Sequence, residues 1–384
     1  MKHKIEIHGH CADPFLPVKE AFKQNFELGL EVGASFAVTL NGQLVVDLWG
    51  GYKDKAKLQL WEENTIVNVF STTKIMTALC IHILVDRGLV NVDDPVAKYW
   101  PEFAQNGKEL IPIKFVLSHS AGLPGFDVQI PENAIYDWDR IIGIIASQKP
   151  WWKPGSKIGY HSITFGFILG EIVRRVTGKT LGTFFREEVA EPLGIDFHIG
   201  LSDKFDEKIA DIVVPERISR IKLFLLGLLF RNAKKVFFNP DLQQIDFNSR
   251  EWRSAEIPAS NGHGNARSTA QVGAILACGG KYKDKRLLSL NTIEKALEEQ
   301  NRGKDIVTFR QPASFGLGFG LLSEDFLIGP RSFFWSGAGG SKCVMDLDKK
   351  LSYAYAMNKM VLLGEDSRPI RLAQAVKEAI KKAL

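Results

Sequence analysis

Cysteine is scarce in this chain: four in 384 residues (Cys11, Cys80, Cys278 and Cys343), none in CxxC spacing. That scatter supports neither a zinc site nor a disulfide framework, so reduced, mostly buried thiols are expected. No apolar run approaches the ~20 residues that span a bilayer. The opening residues, Met1-Lys2-His3-Lys4-Ile5-Glu6, lack the apolar segment of a signal peptide, and the expectation is a cytoplasmic protein. Internal repeats, low-complexity tracts and obvious linkers are missing as well. So is a basic stripe interleaved with aromatics. The net charge is +5, the charges are interspersed and basic pairs such as Lys349-Lys350 and Lys381-Lys382 are short, which argues against a nucleic-acid partner. His8 and His10 stand close together without a third ligand, so no metal is expected there.

What is present is an ordinary globular composition, 45% hydrophobic and 24% charged, in a chain long enough for two lobes or two domains. Residues 16–32 carry Val18, Phe22, Phe26 and Leu28 at helical spacing. Two β-rich runs, 35–40 and 43–49, flank Asn41-Gly42, a strong hairpin signal. Residues 72–87 read as an apolar helix ending at Gly88, and 163–176 as a helix closed by Gly178. Asp93-Asp94-Pro95 reads as a helix start. From about 111 to 195 the pattern is helical, broken by Pro and Gly. The period returns to two over 332–335, 342–347 and 351–357, with Asp348-Lys349-Lys350 as the last turn. Residues 370–384 form an amphipathic helix with Leu372, Val376, Ile380 and Ala383 on one face. The fold class expected is α/β (α+β): an antiparallel sheet flanked by N- and C-terminal helices, plus a mainly helical lobe. The sheet lobe is expected over 1–66 and 265–384, the helical lobe over 67–264, with the site in the cleft between them.

Ser71-Thr72-Thr73-Lys74 directly precedes the apolar run Ile75-Met76-Thr77-Ala78-Leu79. Three residues apart at a helix start, Ser71 and Lys74 share one face. A serine hydroxyl needs a base within hydrogen-bond reach, and a lysine serves only if its pKa falls. Val69, Phe70, Ile75 and Met76 can supply apolar surroundings, and the helix N-terminus aims N–H groups at developing negative charge. A plain N-cap serine with a solvated lysine is the competing reading. Farther on, Tyr160-His161-Ser162 stands before the next helix; a Tyr160 phenol could shuttle a proton if an ammonium lowered its pKa, or could simply pack. Trp335-Ser336-Gly337-Ala338 lies on an expected strand whose glycines allow close approach, so the Ala338 N–H could face the Ser71 N–H as a second oxyanion donor; an ordinary Gly-rich bend is the alternative.

The ordered set Ser71-x-x-Lys74, Tyr160-x-Ser162 and Trp335-Ser336-Gly337 resembles the serine β-lactamase and penicillin-binding-protein superfamily. Within it the chain looks most like the class C-related family VIII carboxylesterases and the related β-lactamase domain proteins. Stretches such as Val116-Leu-Ser-His-Ser-Ala-Gly-Leu123, Pro192-Leu-Gly194 and Asn261-Gly-His-Gly-Asn-Ala-Arg-Ser268 are similar too, and the likeness runs from about residue 30 to 360. The resemblance implies a serine β-lactamase-like fold and an acyl-enzyme on Ser71. Lys74 and Tyr160 would share the role of base, with Tyr160 protonating the leaving group. Backbone N–H groups of Ser71 and Ala338 would form the oxyanion hole, and no cofactor or metal would be needed.

Two departures bear on substrate. Lactamases carry Asn where Ser162 stands and Lys where Trp335 stands. Losing that Lys removes a point charge for an anionic drug, while an aromatic wall suits an uncharged group. The expected partner is a small-molecule carboxylic ester, with at most a lactamase side activity. Ser162, Trp335, Ser336, Gly337 and Trp152 are the expected substrate-binding residues, Trp151 and Trp152 contributing to an apolar acyl pocket. His119 is read as structural, and His161 as a poorer candidate than Tyr160 because a flanking residue on an extended loop points the other way. The apolar run Ile221–Phe230 is too short to span a membrane; core helix, cleft lid, and membrane-surface or partner docking are the three readings, docking the weakest. Competing functions are an acyltransferase on the same machinery, a β-lactamase or D-Ala-D-Ala peptidase, and a non-catalytic binding or self-assembling protein. The oligomeric state is not legible.

Overall fold

The computed structural model describes residues 5–215, 230–242, 244–361 and 366–383, so residues 221–229 of the apolar run lie outside the described residues. Three strands near the chain start, β1 (Ile7–Cys11), β2 (Gly33–Leu40) and β3 (Gln43–Gly51), join three late ones. A short hairpin, β4 (Asn301–Lys304) and β5 (Pro312–Phe315), precedes the late strands β6 (Ser332–Ser336), β7 (Lys342–Asp346) and β8 (Leu351–Met357). The six-stranded sheet runs β1-β3-β2-β8-β7-β6, every neighbour antiparallel. At Asn41 and Gly42, φ is 52° and 77°. Two left-handed central residues are what a tight primed turn requires, and Leu40 pairs with Gln43 across it.

Period two sorts the sheet's faces. From β8, Tyr353, Tyr355 and Met357 join the apolar layer holding Phe22 of α1 (Leu16–Glu27) and Leu372, Val376 and Ile380 of α6 (Ser367–Ala383). Ala354 and Ala356 alternate with them and face the other core. The small residues there let α5 (Ala266–Ala277) approach so closely that a Cβ on Gly273 would lie 2.1 Å from the Ser352 hydroxyl. α1 is shorter than the sequence suggested: the buried stripe 18-22-26 ends with it, and Leu28 stands off that stripe, 54% exposed.

The helical lobe centres on α2 (Lys74–Asp86), buried from residue 74 to 84 on every side, as only a central core helix can be. α4 (Thr164–Thr177) packs against it, and α3 (Trp138–Ser147) packs in turn on α4. The expected helix at 72–87 begins instead with a 3-10 turn over Phe70–Thr73, so Ser71 stands on that turn and Lys74 opens the α-helix. Pro95 caps the short helix Val96–Tyr99, as Asp93-Asp94-Pro95 suggested. The strand β1 was not read from the sequence; His8 and His10 lie exposed on it, and no cluster able to hold a metal occurs among the described residues. All four cysteines are free, Cys80 and Cys343 buried and Cys11 and Cys278 half-buried. No helix among the described residues is long and apolar enough to cross a membrane.

One buried ion network ties the chain ends to the sheet. Arg368, 1% exposed, reaches Glu31 (3.1 Å) and Asp366 (2.8 Å), and donates to the carbonyls of Lys359 (2.8 Å) and Gly339 (2.9 Å). Tyr355 donates to the same Glu31. Removing one partner of such a network strands a buried charge, so Arg368→Ala should cost about 3–5 kcal/mol in urea unfolding. A loss below about 1 kcal/mol, the value of an exposed pair, would show the network to be dispensable.

Candidate active site

Three distant stretches converge on Ser71. Val67-Asn68 pairs with His263-Gly264, and the Asn68 side chain donates to the carbonyls of Ser260 and Gly262, both at 3.0 Å. This pairing sets residues 258–262 beside the start of α2 and brings the Ala259 carbonyl to Lys74. Lys74 is wholly buried; its Nζ lies 3.2 Å from Ser71 Oγ, 2.7 Å from the Ser162 carbonyl and 2.9 Å from the Ala259 carbonyl. Among the described residues no carboxylate pairs with it, and burial alone holds its pKa well below the usual lysine value. A neutral amine fits these contacts: two N–H bonds go to the two carbonyls, and the lone pair is left for the Ser71 hydrogen.

Tyr160 donates to Ser71 Oγ at 2.7 Å. A shuttling phenol would need a neighbouring ammonium to lower it; here burial pushes it up, opposed by its contacts with Ser71 and the Trp335 indole. The phenol therefore keeps its proton near neutral pH and serves Ser71 as a donor, while Lys74 is the group able to take a proton.

Phe70 has φ 46°, a left-handed conformation that a phenylalanine rarely adopts, and the residue after it, Ser71, is left half-buried against Lys74 and Tyr160. As second residue of the 3-10 turn, Ser71 has an N–H without a partner inside the helix. The loop 337–341 closes against this turn: Ser341 Oγ donates to the Val69 carbonyl (2.7 Å) and meets Thr72 Oγ1 (3.0 Å). A Cβ on Gly337 would sit 2.2 Å from that Val69 carbonyl, so only glycine brings the loop this close. Ala338 follows at the surface, just past the edge strand β6 rather than on it.

The expected substrate-binding residues separate. Trp335 is 5% exposed and stacked on Tyr160 (6.2 Å, 29°), so its ring supports the phenol and leaves almost no wall for a substrate. Ser336 points to the opposite sheet face, as strand alternation demands, and there its hydroxyl accepts from the buried Lys342 at 2.6 Å. Burial brings that amine down to about 7. Neither Trp335 nor Ser336 therefore serves as the substrate-binding residue expected of it. Ser162, nearly buried, meets the site through its carbonyl. Trp152 is half-buried against Gly159, whose added Cβ would lie 2.4 Å from the indole.

The histidines are structural. His161 contacts the Gly159 carbonyl (2.7 Å) through Nδ1 and accepts from the Leu123 N–H (3.3 Å) at Nε2; burial lowers it to about 4. His119, wholly buried among Tyr160, Trp335, Phe165 and Phe315, accepts the His161 N–H at Nδ1 (3.0 Å) and is held neutral by burial. Sequence reasoning missed two contributors: the Ala259 carbonyl, which no side-chain pattern announces, and Asp305, which accepts the Tyr160 N–H (3.2 and 3.1 Å) from 145 residues away.

The beta-lactamase family model matches residues 22–377. The chain is 32% identical over 363 residues to the esterase/beta-lactamase LipL of Mycobacterium tuberculosis, covering 91% of this chain and 83% of that one. Among solved structures it is similar to a family VIII carboxylesterase (TM-score 0.89, 38% identity, 97% of this chain and 100% of that one). A penicillin-binding protein homolog from Caulobacter crescentus gives TM-score 0.88 and 38% identity over the same shares of the two chains.

Burying an amine without a counter-ion has a stability signature. Between the lowered folded pKa of Lys74 and its unfolded value, the unfolded chain holds a proton that the folded chain lacks, so this group makes stability rise with pH across that window. Lys74→Met should remove that rise and leave the protein as stable as wild type or more so at pH 7, by urea unfolding. A methionine variant much less stable than wild type would mean the lysine is a paired, stabilising cation.

Proposed function

The chain belongs to the beta-lactamase family, and from that premise we propose that it is a serine hydrolase cleaving small carboxylic esters through an acyl-enzyme on Ser71. The observation that carries the reading is the buried Lys74 amine, with no carboxylate partner among the described residues, at hydrogen-bond distance from a serine that also accepts a hydrogen bond from Tyr160. As Ser71 Oγ attacks the ester carbonyl, its proton passes to the Lys74 lone pair. The negative charge on the carbonyl oxygen is met by the N–H groups of Ser71 and Ala338. Tyr160 gives its proton to the departing alkoxide and recovers one from the Lys74 ammonium. Water then attacks the acyl group, loses a proton to the same base and releases the carboxylic acid with Ser71 restored. No step requires a cofactor.

Preference for esters over anionic β-lactams follows from what stands beside Tyr160. Where lactamases place a cation, Trp335 packs against the phenol and supplies no charge for a drug carboxylate. A charge-assisted hydrogen bond is worth about 1.5–3 kcal/mol, roughly 10–100-fold in rate. Phe247, edge-on to Phe70 at 5.1 Å, and half-buried Trp152 favour short-to-medium apolar acyl groups. The lobe boundaries near 66 and 265 and a cytoplasmic location belong to the same proposal; four free thiols suit a reducing compartment.

A fluorophosphonate probe should label wild type and not Ser71→Ala, and Ser71→Ala should lose about 10³-fold or more of ester turnover. Hydrolysis of p-nitrophenyl butyrate should exceed that of nitrocefin by at least the factor above. Comparable rates on the two substrates would contradict the ester preference, and labelling of Ser71→Ala would contradict the nucleophile.

A further inference from the structure

The loop that carries Tyr160 is held at four successive amides. Gly159 N–H donates to the His119 carbonyl (2.9 Å), Tyr160 N–H to Asp305, His161 N–H to His119 Nδ1 (3.0 Å) and Ser162 N–H to the Pro124 carbonyl (3.4 Å). Three of those acceptors are neutral. The fourth is a carboxylate 1% exposed at the tip of the β4–β5 hairpin, and it takes the amide of the one residue whose hydroxyl touches Ser71.

Asp305 does more than accept one bond. Its carboxylate also accepts the N–H groups of Val307 (2.7 Å) and Thr308 (3.1 Å), folding the tip back on itself. Its own carbonyl accepts from Arg310 (2.9 Å), and the next residue, Ile306, donates to the Ile158 carbonyl (3.0 Å). Phe309 and Arg310 follow with φ 56° and 60°, two consecutive left-handed side-chain-bearing residues that persist only where surroundings dictate them. Among the described residues no cation stands within 4 Å of this carboxylate, and burial raises its pKa. A buried charge without a counter-ion costs stability, and a neutral amide would hold a turn more cheaply. Its place under the amide of the residue that carries the reacting phenol points to a group kept for activity.

We propose that Asp305 is a positioning residue: its carboxylate clamps the Tyr160 amide so that the phenol stays aimed at Ser71. This rests on the reading of Ser71 and Tyr160 given above. The charge acts in the same sense, since it disfavours a phenolate at Tyr160 and so preserves the donor.

The test compares Asp305→Asn and Asp305→Ala with wild type by fluorophosphonate labelling rate, ester turnover and Tm. Labelling reports Ser71 activation directly, whichever ester is the substrate. Asp305→Ala should label about 100-fold more slowly, the scale of a 1 Å misplacement at a reacting group. Asp305→Asn, which keeps an acceptor oxygen and loses the charge, should fall between, with KM nearly unchanged and Tm equal to or above that of wild type. A folded Asn variant that labels within twofold of wild type overturns the proposal. So does a Tm loss that accompanies the slower labelling, because the residue would then be structural alone. If Asp305→Ala does not fold, the Asn variant decides. Wild type that labels but hydrolyses no ester would sink the ester reading and leave Asp305 standing, whereas wild type that fails to label takes both down.

Discussion

The molecule is organised around one buried amine that has no carboxylate partner among the described residues. Lys74 lies fully inside the protein with two carbonyls and one hydroxyl around it. An ammonium in that place would bear a desolvation cost of several kcal/mol, and among the described residues no carboxylate offsets it. Burial therefore lowers the pKa of this amine and favours the neutral form, which can serve Ser71 as a base. Everything near it serves that condition: α2 is apolar on all sides, so the amine stays dry, and the short pairing of 67–68 with 263–264 fixes the carbonyl that takes one of its hydrogens.

The oxygen of Ser71 is then positioned by contacts that span the chain. Phe70 accepts a left-handed backbone to present it, and Gly337 yields its side chain so that the β6–β7 loop can rest on the Val69 carbonyl. From behind, Arg368 holds the Gly339 carbonyl and so links that loop to Glu31, Tyr355 and the start of α6. The site therefore inherits the rigidity of the sheet. Tyr160 inherits that of the hairpin tip and of His119, whose ring and carbonyl hold the amides on either side of it.

Much of this was legible in the sequence, because the cues are local. Ser71-x-x-Lys74 needs only one helical turn to become a pair, Asn41-Gly42 dictates its own turn, and the late strands alternate cleanly. Strand β1 escaped notice because Ile7-His-Gly-His-Cys11 alternates too weakly to stand out, and its pairing with β3 supplies what propensity lacks. Trp335 was misplaced for a different reason. Alternation assigns it to the same side as the site, but how deep a ring sinks depends on Tyr160, His119 and Phe315, all far away in sequence. Asp305 and the Ala259 carbonyl were invisible for the same cause, since a clamp made to a backbone group leaves no trace in residue spacing. The direction in which the phenol shifts stays open in the sequence because it depends on burial, a property of the assembled lobes.

The protonation state of Lys74 is the point on which the account stands. Lysine-selective isotope labelling, with the Nζ and Cε resonances followed across pH and the Lys74 signal assigned by its disappearance in Lys74→Met, reads it directly. Lys74 should release its proton well below the usual lysine value of 10.5. A Lys74 resonance that titrates near 10.5 would contradict this.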